Sequence, residues 1–188
     1  MKKLLVLGLF FISTIIYSQS VTIYRSYDDY KTEQGIKYDT YKKIARNLWG
    51  SKYRIVVRKS GKSKRIKCER IWGFMLEKTL FRTYGSGQYA MQISGDKLFY
   101  FENGEAYINK GKFIVGHYNF IATTVDGLLI LLPNPDSKPD VIQQYEYFKK
   151  SYPQHKKFYD CFDKAHELEN CRDCMDRYNY PDKIRPFQ

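Results

Sequence analysis

Apolar and polar residues alternate through the segment from Tyr53 to Cys68, and from Tyr53 to Leu132 the chain reads as short strands separated by turns. Tyr53, Ile55 and Val57 share one face of an extended segment, and Arg54 and Arg58 take the other. Ser60-Gly61-Lys62-Ser63 has the composition of a turn, after which Ile66 and Cys68 alternate with Arg65 and Lys67. This pattern predicts a β-hairpin with an apolar inner face and a cationic outer face. Further strands are predicted at residues 71–76 and 79–84, around Glu77-Lys78, and at residues 88–94 and 97–102, around Gly95-Asp96. Asn103-Gly104 is a type I′ turn signal, because that turn needs positive φ at both central positions. Lys110-Gly111-Lys112 leads into a strand over 113–118, and Asp126-Gly127 offers a second I′ turn between 120–125 and 128–132. Such closely spaced turns predict an antiparallel meander.

Helical patterns lie at both ends. After a first strand over 21–25, Ser26 with Asp29 forms a capping box, and Gly35 closes the short helix it starts. Asp39 is placed to cap a second helix, with Tyr41, Ile44 and Leu48 on one face and Gly50 at its end. Pro133-Asn134-Pro135 marks a boundary. Beyond it, Ser137 and Pro139 start a helix with Val141, Tyr145, Phe148 and Tyr152 as its apolar stripe, stopped by Pro153. A further helix presents Phe158, Cys161, Phe162, Ala165 and Leu168 on one side. The expected fold is α+β: mainly an antiparallel β meander, or a small curled sheet or barrel. Short N-terminal helices precede it and a helical C-terminal appendage packs on it. The division is a leader at 1–18, a β-rich domain at 19–134 and the appendage at 135–188.

The leader reading rests on Lys2-Lys3, the apolar run over 4–16 and the small Ser18 at the expected cleavage point. It predicts a bacterial signal peptide and a mature, soluble chain from Gln19 in the periplasm or outside the cell, where disulfides persist. The apolar run is short for a membrane span.

The chain has 188 residues, a formal net charge of +12 and 17% aromatic residues. Its aromatic content excludes a disordered chain. The charge is uneven: residues 42–70 hold twelve Lys and Arg against the single acid Glu69, whereas residues 137–188 are nearly neutral. Arg54, Arg58, Arg65 and Lys67 are therefore the candidate anion-binding residues, facing anionic lipid headgroups or acidic glycan. The alternative is an edge hairpin that uses Lys and Arg to repel other strands. Export and the lack of a recognition motif disfavour nucleic acid as a partner. Tyr24, Tyr27, Tyr30, Tyr38, Tyr41 and Tyr53 interleave with cations, and would stack on sugars if exposed or fill the core if buried.

Four cysteines remain to be placed: Cys161, Cys171 and Cys174 near the C-terminus, and far upstream Cys68, either a buried free thiol or a disulfide partner that ties the tail to the sheet. A zinc site recruiting His155 or His166 is disfavoured, because His166 lies about 140° around a helix from Cys161. A structural disulfide is the favoured reading. Cys161 can reach Cys171 or Cys174 only if the helix stops near Asn170 and folds back, bringing the Cα atoms within about 7 Å. No cofactor is expected. Gly85-Ser86-Gly87-Gln88-Tyr89-Ala90 matches a dinucleotide fingerprint only by chance, since a strand follows it. Asp28-Asp29 and Glu102 with Glu105 are carboxylate pairs better explained as caps and turn flanks than as hydrolytic groups.

Trp72-Gly73-Phe74, Leu80-Phe81-Arg82 and Tyr100-Phe101-Glu102-Asn103-Gly104 together resemble segments of small secreted bacterial proteins of unknown function. The resemblance covers about half of the chain and implies a shared fold without an activity. The expected function is that of a secreted, non-enzymatic binding or structural protein of the envelope or extracellular space. The alternative is a hydrolase of cell-wall or glycan material.

Overall fold

A computed structural model describes residues 19–46, 53–85, 87–109, 112–165 and 168–183. The predicted leader, Leu48 and Gly50 lie outside them. The fold is α+β, built on an open eight-stranded antiparallel sheet and a three-stranded one. Along the chain, β1 (Val21–Tyr24), α1 (Tyr27–Lys31) and β2 (Ile36–Tyr38) lead into β3 (Thr40–Arg46), β4 (Tyr53–Lys59) and β5 (Lys62–Lys67). Then come β6 (Gly73–Leu76), β7 (Thr79–Tyr84), β8 (Gln88–Ser94), β9 (Phe99–Asn109), β10 (Lys112–Ala122) and β11 (Ile130–Leu131). The C-terminal helices are α2 (Pro139–Ser151), α3 (Lys156–Ala165) and α4 (Leu168–Asn179). The large sheet runs β11-β10-β9-β8-β7-β6-β1-β2, and the small one β3-β4-β5. The large sheet is not closed into a barrel, and β2 and β11 are its edges.

Strand register assigns the two faces of the large sheet. Ile23, Phe74, Phe81, Met91 and Glu102 lie in one cross-strand row. At the β1–β6 end this face packs on the small sheet: Val21, Ile23 and Phe74 share a core with Ile55, Val57 and Cys68. At the other end it packs on the helices, where Leu98, Tyr100 and Ile121 meet Tyr145, Phe158, Phe162 and Met175. Both interfaces are rich in large apolar side chains, which makes burial the main stabilising term. The opposite face carries Ala90, Phe101, Phe120 and Ala122, with Leu129 and Leu131 packed against them.

The helices are tied to the sheet by polar contacts as well. Asn179 at the end of α4 accepts from Leu98 N at 3.1 Å and donates to Leu98 O at 2.8 Å. Arg172 on α4 reaches Glu102 on β9 with both ends of its fork: Nε donates to Oε1 at 2.6 Å, and a terminal nitrogen donates to Oε2. Hydrogen bonding to Glu102 holds the Arg172 guanidinium well above its ordinary pKa.

Four sequence expectations are corrected. Among the described residues the second N-terminal helix is absent; residues 40–46 form β3 instead. A bulge between Tyr41 and Lys43 explains the misreading. It lets Tyr41 pair with Val57 and Ile44 with Ile55, so two residues three apart share the inner face and imitate helical spacing. Asn103-Gly104 is not a turn: β9 runs through it, with Asn103 opposite Tyr118 and Gly104 opposite His117. Asn103 is 3% exposed and donates to the Tyr84 hydroxyl at 2.9 Å, so tertiary burial overrides local turn preference. Asp126-Gly127 lies in a longer connection between β10 and β11, turned by Gly127 N donating to Thr124 O at 3.0 Å. Finally, α1 ends at Lys31, and Glu33 with φ 56° supplies the left-handed residue expected of Gly35. The Ser26–Asp29 capping box is present as read.

Candidate anion-binding surface

The basic hairpin forms as its alternation requires. Ser60 and Gly61 both have positive φ (48° and 77°) and connect the paired residues Lys59 and Lys62, a two-residue turn whose twist suits a hairpin. The Asp39 carboxylate accepts from Ser60 N at 3.0 Å and fixes the turn against the start of β3.

Register then gathers the charge. Arg54 lies between Lys67 and Ala45, Val56 between Arg65 and Lys43, and Arg58 between Ser63 and Thr40. Residues opposite one another share a face, so Lys43, Arg54, Arg58, Arg65 and Lys67 all lie on the outer face of the small sheet. Lys43, Arg58 and Arg65 are exposed, whereas Arg54 and Lys67 are half-buried. Val56, at the centre of this face, is only 8% exposed, consistent with cation stems lying over it. Arg54 directly opposes Lys67, a like-charge pair that destabilises a sheet. Lys67 also lies 3.5 Å from the Glu69 carboxylate.

A second cationic region lies at the mouth of the sandwich, between the inner side of β5 and the β1–β2 edge. A cavity of about 410 Å³ opens there. Its apolar lining is Ile23, Ile36, Tyr38, Ile66 and Ile71, and it is also lined by Arg25, Lys64 and Arg70, with Arg65 and Lys67 bordering it from β5 although register sets their side chains on the outer face. A neighbouring cavity of about 400 Å³ shares Ile36, Tyr38 and Lys64 and adds Lys59 and Lys62. Arg25 and Arg70 were not among the sequence candidates. The signal for Arg70 is the charge of the 42–70 window, and that for Arg25 is its place among the interleaved tyrosines and cations.

Of the interleaved tyrosines, Tyr38 lines both cavities with Lys59 6.0 Å from its ring, but Tyr27 and Tyr30 lie elsewhere. Tyr24, Tyr38 and Tyr53 are buried. Tyr27 and Tyr30 pack in tilted contacts with Trp72 at 5.3 and 5.0 Å between centroids. That cluster continues to Arg82, on the opposite face of the large sheet from the basic hairpin, 5.3 Å from the Trp72 ring. Arg82 donates to Val125 O at 2.7 Å and Gly127 O at 2.8 Å, which pins the connection between β10 and β11. Its burial lowers its pKa.

The remaining candidates take structural roles. Asp29 accepts from Arg25 N and Ser26 N at 3.0 and 3.2 Å, and Asp28 pairs with Lys31 at 2.8 Å. Glu102 is a mid-strand residue bound by Arg172, rather than a turn flank. The Glu105 side chain lies outside the described ones. Gly87 has φ 104°, and a Cβ there would meet Glu69 N at 2.9 Å, so this glycine serves a tight backbone approach rather than a nucleotide loop. Cys161 is bonded to Cys174, with Cα atoms 5.6 Å apart. Cys68 is a buried free thiol, one of the two readings open for it, Cys171 is a buried free thiol rather than the partner of Cys161, and burial pushes both up to about 12. Cys161 lies on α3 and Cys174 on α4, and Asn170, the expected end of the helix, lies inside α4. Among the described residues, no cluster of three or more His, Cys, Asp or Glu side chains is arranged to hold a metal ion. No described helix is long and apolar enough to cross a membrane.

Compared with known proteins, the chain matches no family model, no curated protein and no solved structure.

Proposed function

We infer that this chain is an exported, non-enzymatic binding protein of the bacterial envelope or extracellular space, which engages anionic ligands through the outer face of its basic hairpin. One observation carries the reading: Lys43, Arg54, Arg58, Arg65 and Lys67 share one face of a three-stranded sheet. An arrangement that sets Arg54 against Lys67 costs stability when empty and gains it when an anion sits between them. The Cys161–Cys174 disulfide supports export, because such bonds persist in oxidising compartments. The ligand chemistry is a phosphate or carboxylate repeated along a surface or chain, as in anionic lipid headgroups or an acidic glycan.

Sedimentation with vesicles of phosphatidylglycerol, beside phosphatidylcholine controls, tests the reading, and retention on an acidic polysaccharide distinguishes the two sources. Binding should weaken steeply with salt, since the screening length falls to about 3 Å at 1 M. No retention on either anion at low salt refutes it.

A further inference from the structure

The cationic mouth of the sandwich has a feature that the outer face lacks: an open backbone edge. Strand β5 is the last of its sheet and has no strand partner on its outer side among the described residues. The direction of its backbone groups follows from register. Lys59 and Lys62 flank a two-residue turn and so form a hydrogen-bonded pair. The alternation makes Val57–Lys64 and Ile55–Ile66 hydrogen-bonded as well, and leaves Arg58–Ser63, Val56–Arg65 and Arg54–Lys67 as the non-bonded pairs. Asp39 N donates to Arg58 O at 3.0 Å, which confirms that Arg58 turns its backbone toward β3. The amides and carbonyls of Ser63, Arg65 and Lys67 therefore point out of the sheet.

We propose that the mouth of the sandwich is a docking site for an extended acidic polypeptide segment of another protein, added to β5 as a fourth strand. Three properties select this occupant. The outward backbone groups of Ser63, Arg65 and Lys67 match the spacing of a β-strand, which a lipid headgroup lacks. Ile36 and Ile66 are only half-buried at the opening, so an incoming strand with alternate apolar residues completes their burial. Arg25, Lys64, Arg65, Lys67 and Arg70 also line the opening, and the Glu69 carboxylate beside them, 3.5 Å from Lys67, offsets a single cation, so the remaining charge favours a segment that carries acids. A second copy of this chain is a poor occupant, because pairing β5 with itself sets Lys62, Lys64, Arg65 and Lys67 against the same cations. Lysine-rich edges repel most strands, and this one admits a strand of opposite charge.

The proposal shares Arg65 and Lys67 with the anion-binding face but requires backbone pairing, so the two are separable. The probe is a capped octapeptide of alternating Glu and Val, compared with the same peptide N-methylated at alternate residues, which keeps its charge and loses donors on one edge. With the full-length protein, the unmodified peptide should bind and slow amide exchange at Ser63, Arg65 and Lys67. N-methylation of the edge that faces β5 should weaken binding at least tenfold. In the protein, Arg65→Pro removes an outward N–H and should weaken binding at least tenfold more than Arg65→Gln, which removes the charge alone. Proline is tolerated on an edge strand where its nitrogen faces out. If the proline variant does not fold, the N-methylated peptides still decide. Equal binding of peptides methylated on either edge overturns strand addition and leaves anion binding intact. Tighter binding of dextran sulfate with protection of the same amides overturns it in favour of a glycan. Failure of the peptide beside retained vesicle binding overturns this proposal alone, and failure of both overturns both readings.

Discussion

Replacing Arg172 with Met leaves the Glu102 carboxylate without its guanidinium partner. Glu102 is 3% exposed and sits on the sheet face covered by the helices. Its two oxygens receive both ends of the Arg172 fork, with Nε at 2.6 Å from Oε1. Removing one partner of a sealed buried pair costs about 3–5 kcal/mol, because the charge that remains is uncompensated. The Arg172 side chain is half-exposed, so water reaches that side and the expected loss is nearer about 2 kcal/mol. For a chain of this size that corresponds to a fall in Tm of about 4–8 °C. Glu102→Gln should cost less, about 1 kcal/mol, since it removes the buried charge and leaves a solvated arginine. In the double variant nothing charged is left stranded, so its loss should fall short of the sum by about 1 kcal/mol. Urea denaturation of the four proteins measures the cycle. Additivity within about 0.5 kcal/mol would show that the pair does not hold the helices to the sheet.

The Cys161–Cys174 bond closes a loop of sequence separation 13, so reduction should remove about 3 kcal/mol. Denatured, unreduced protein should show the two free thiols of Cys68 and Cys171, and four would contradict the pairing. Burial lowers the pKa of His155, whose Nδ1 lies 2.6 Å from the Tyr178 hydroxyl. The unfolded chain therefore takes up a proton first, so His155 favours folding fully above its ordinary value of 6.5 and loses that contribution as pH falls below it. His155→Gln should flatten the stability profile between about pH 7 and about pH 5, and an unchanged slope would assign it to other groups. A Cβ at Gly73 would meet Phe81 O at 2.6 Å, so Gly73→Ala should cost about 1–3 kcal/mol in the same denaturation assay.

The basic hairpin was legible because its two signals agree. Strict alternation fixed the faces of Tyr53, Ile55 and Val57, and Ser60-Gly61 supplied the turn. The capping box at Ser26 and Asp29 was equally local. Errors arose where a tertiary contact outweighed a local signal. The bulge after Tyr41 changes the strand period only because β3 pairs with β4. Asn103 gives up its turn preference because Tyr84 and a long β10 partner hold it in a strand. The choice of Cys174 over Cys171 depends on how α4 lies against α3, which no spacing rule reveals. Arg25 and Arg70 meet at the sandwich mouth only through the packing of two sheets, and Arg172 and Glu102 meet across 70 residues.

The central claim is that the cations of the small sheet form one anion-binding surface, and charge reversal tests it most directly. The variant carries Arg54→Glu, Arg58→Glu, Arg65→Glu and Lys67→Glu, with its fold checked by circular dichroism and by the Cys161–Cys174 bond. Sedimentation with anionic vesicles and retention on an acidic polysaccharide are then compared with wild type at low salt. Wild type should bind and the folded variant should not. Undiminished binding by the variant contradicts the claim. So does a variant that self-associates beside a wild type that never bound, because the cations then serve only to protect an edge.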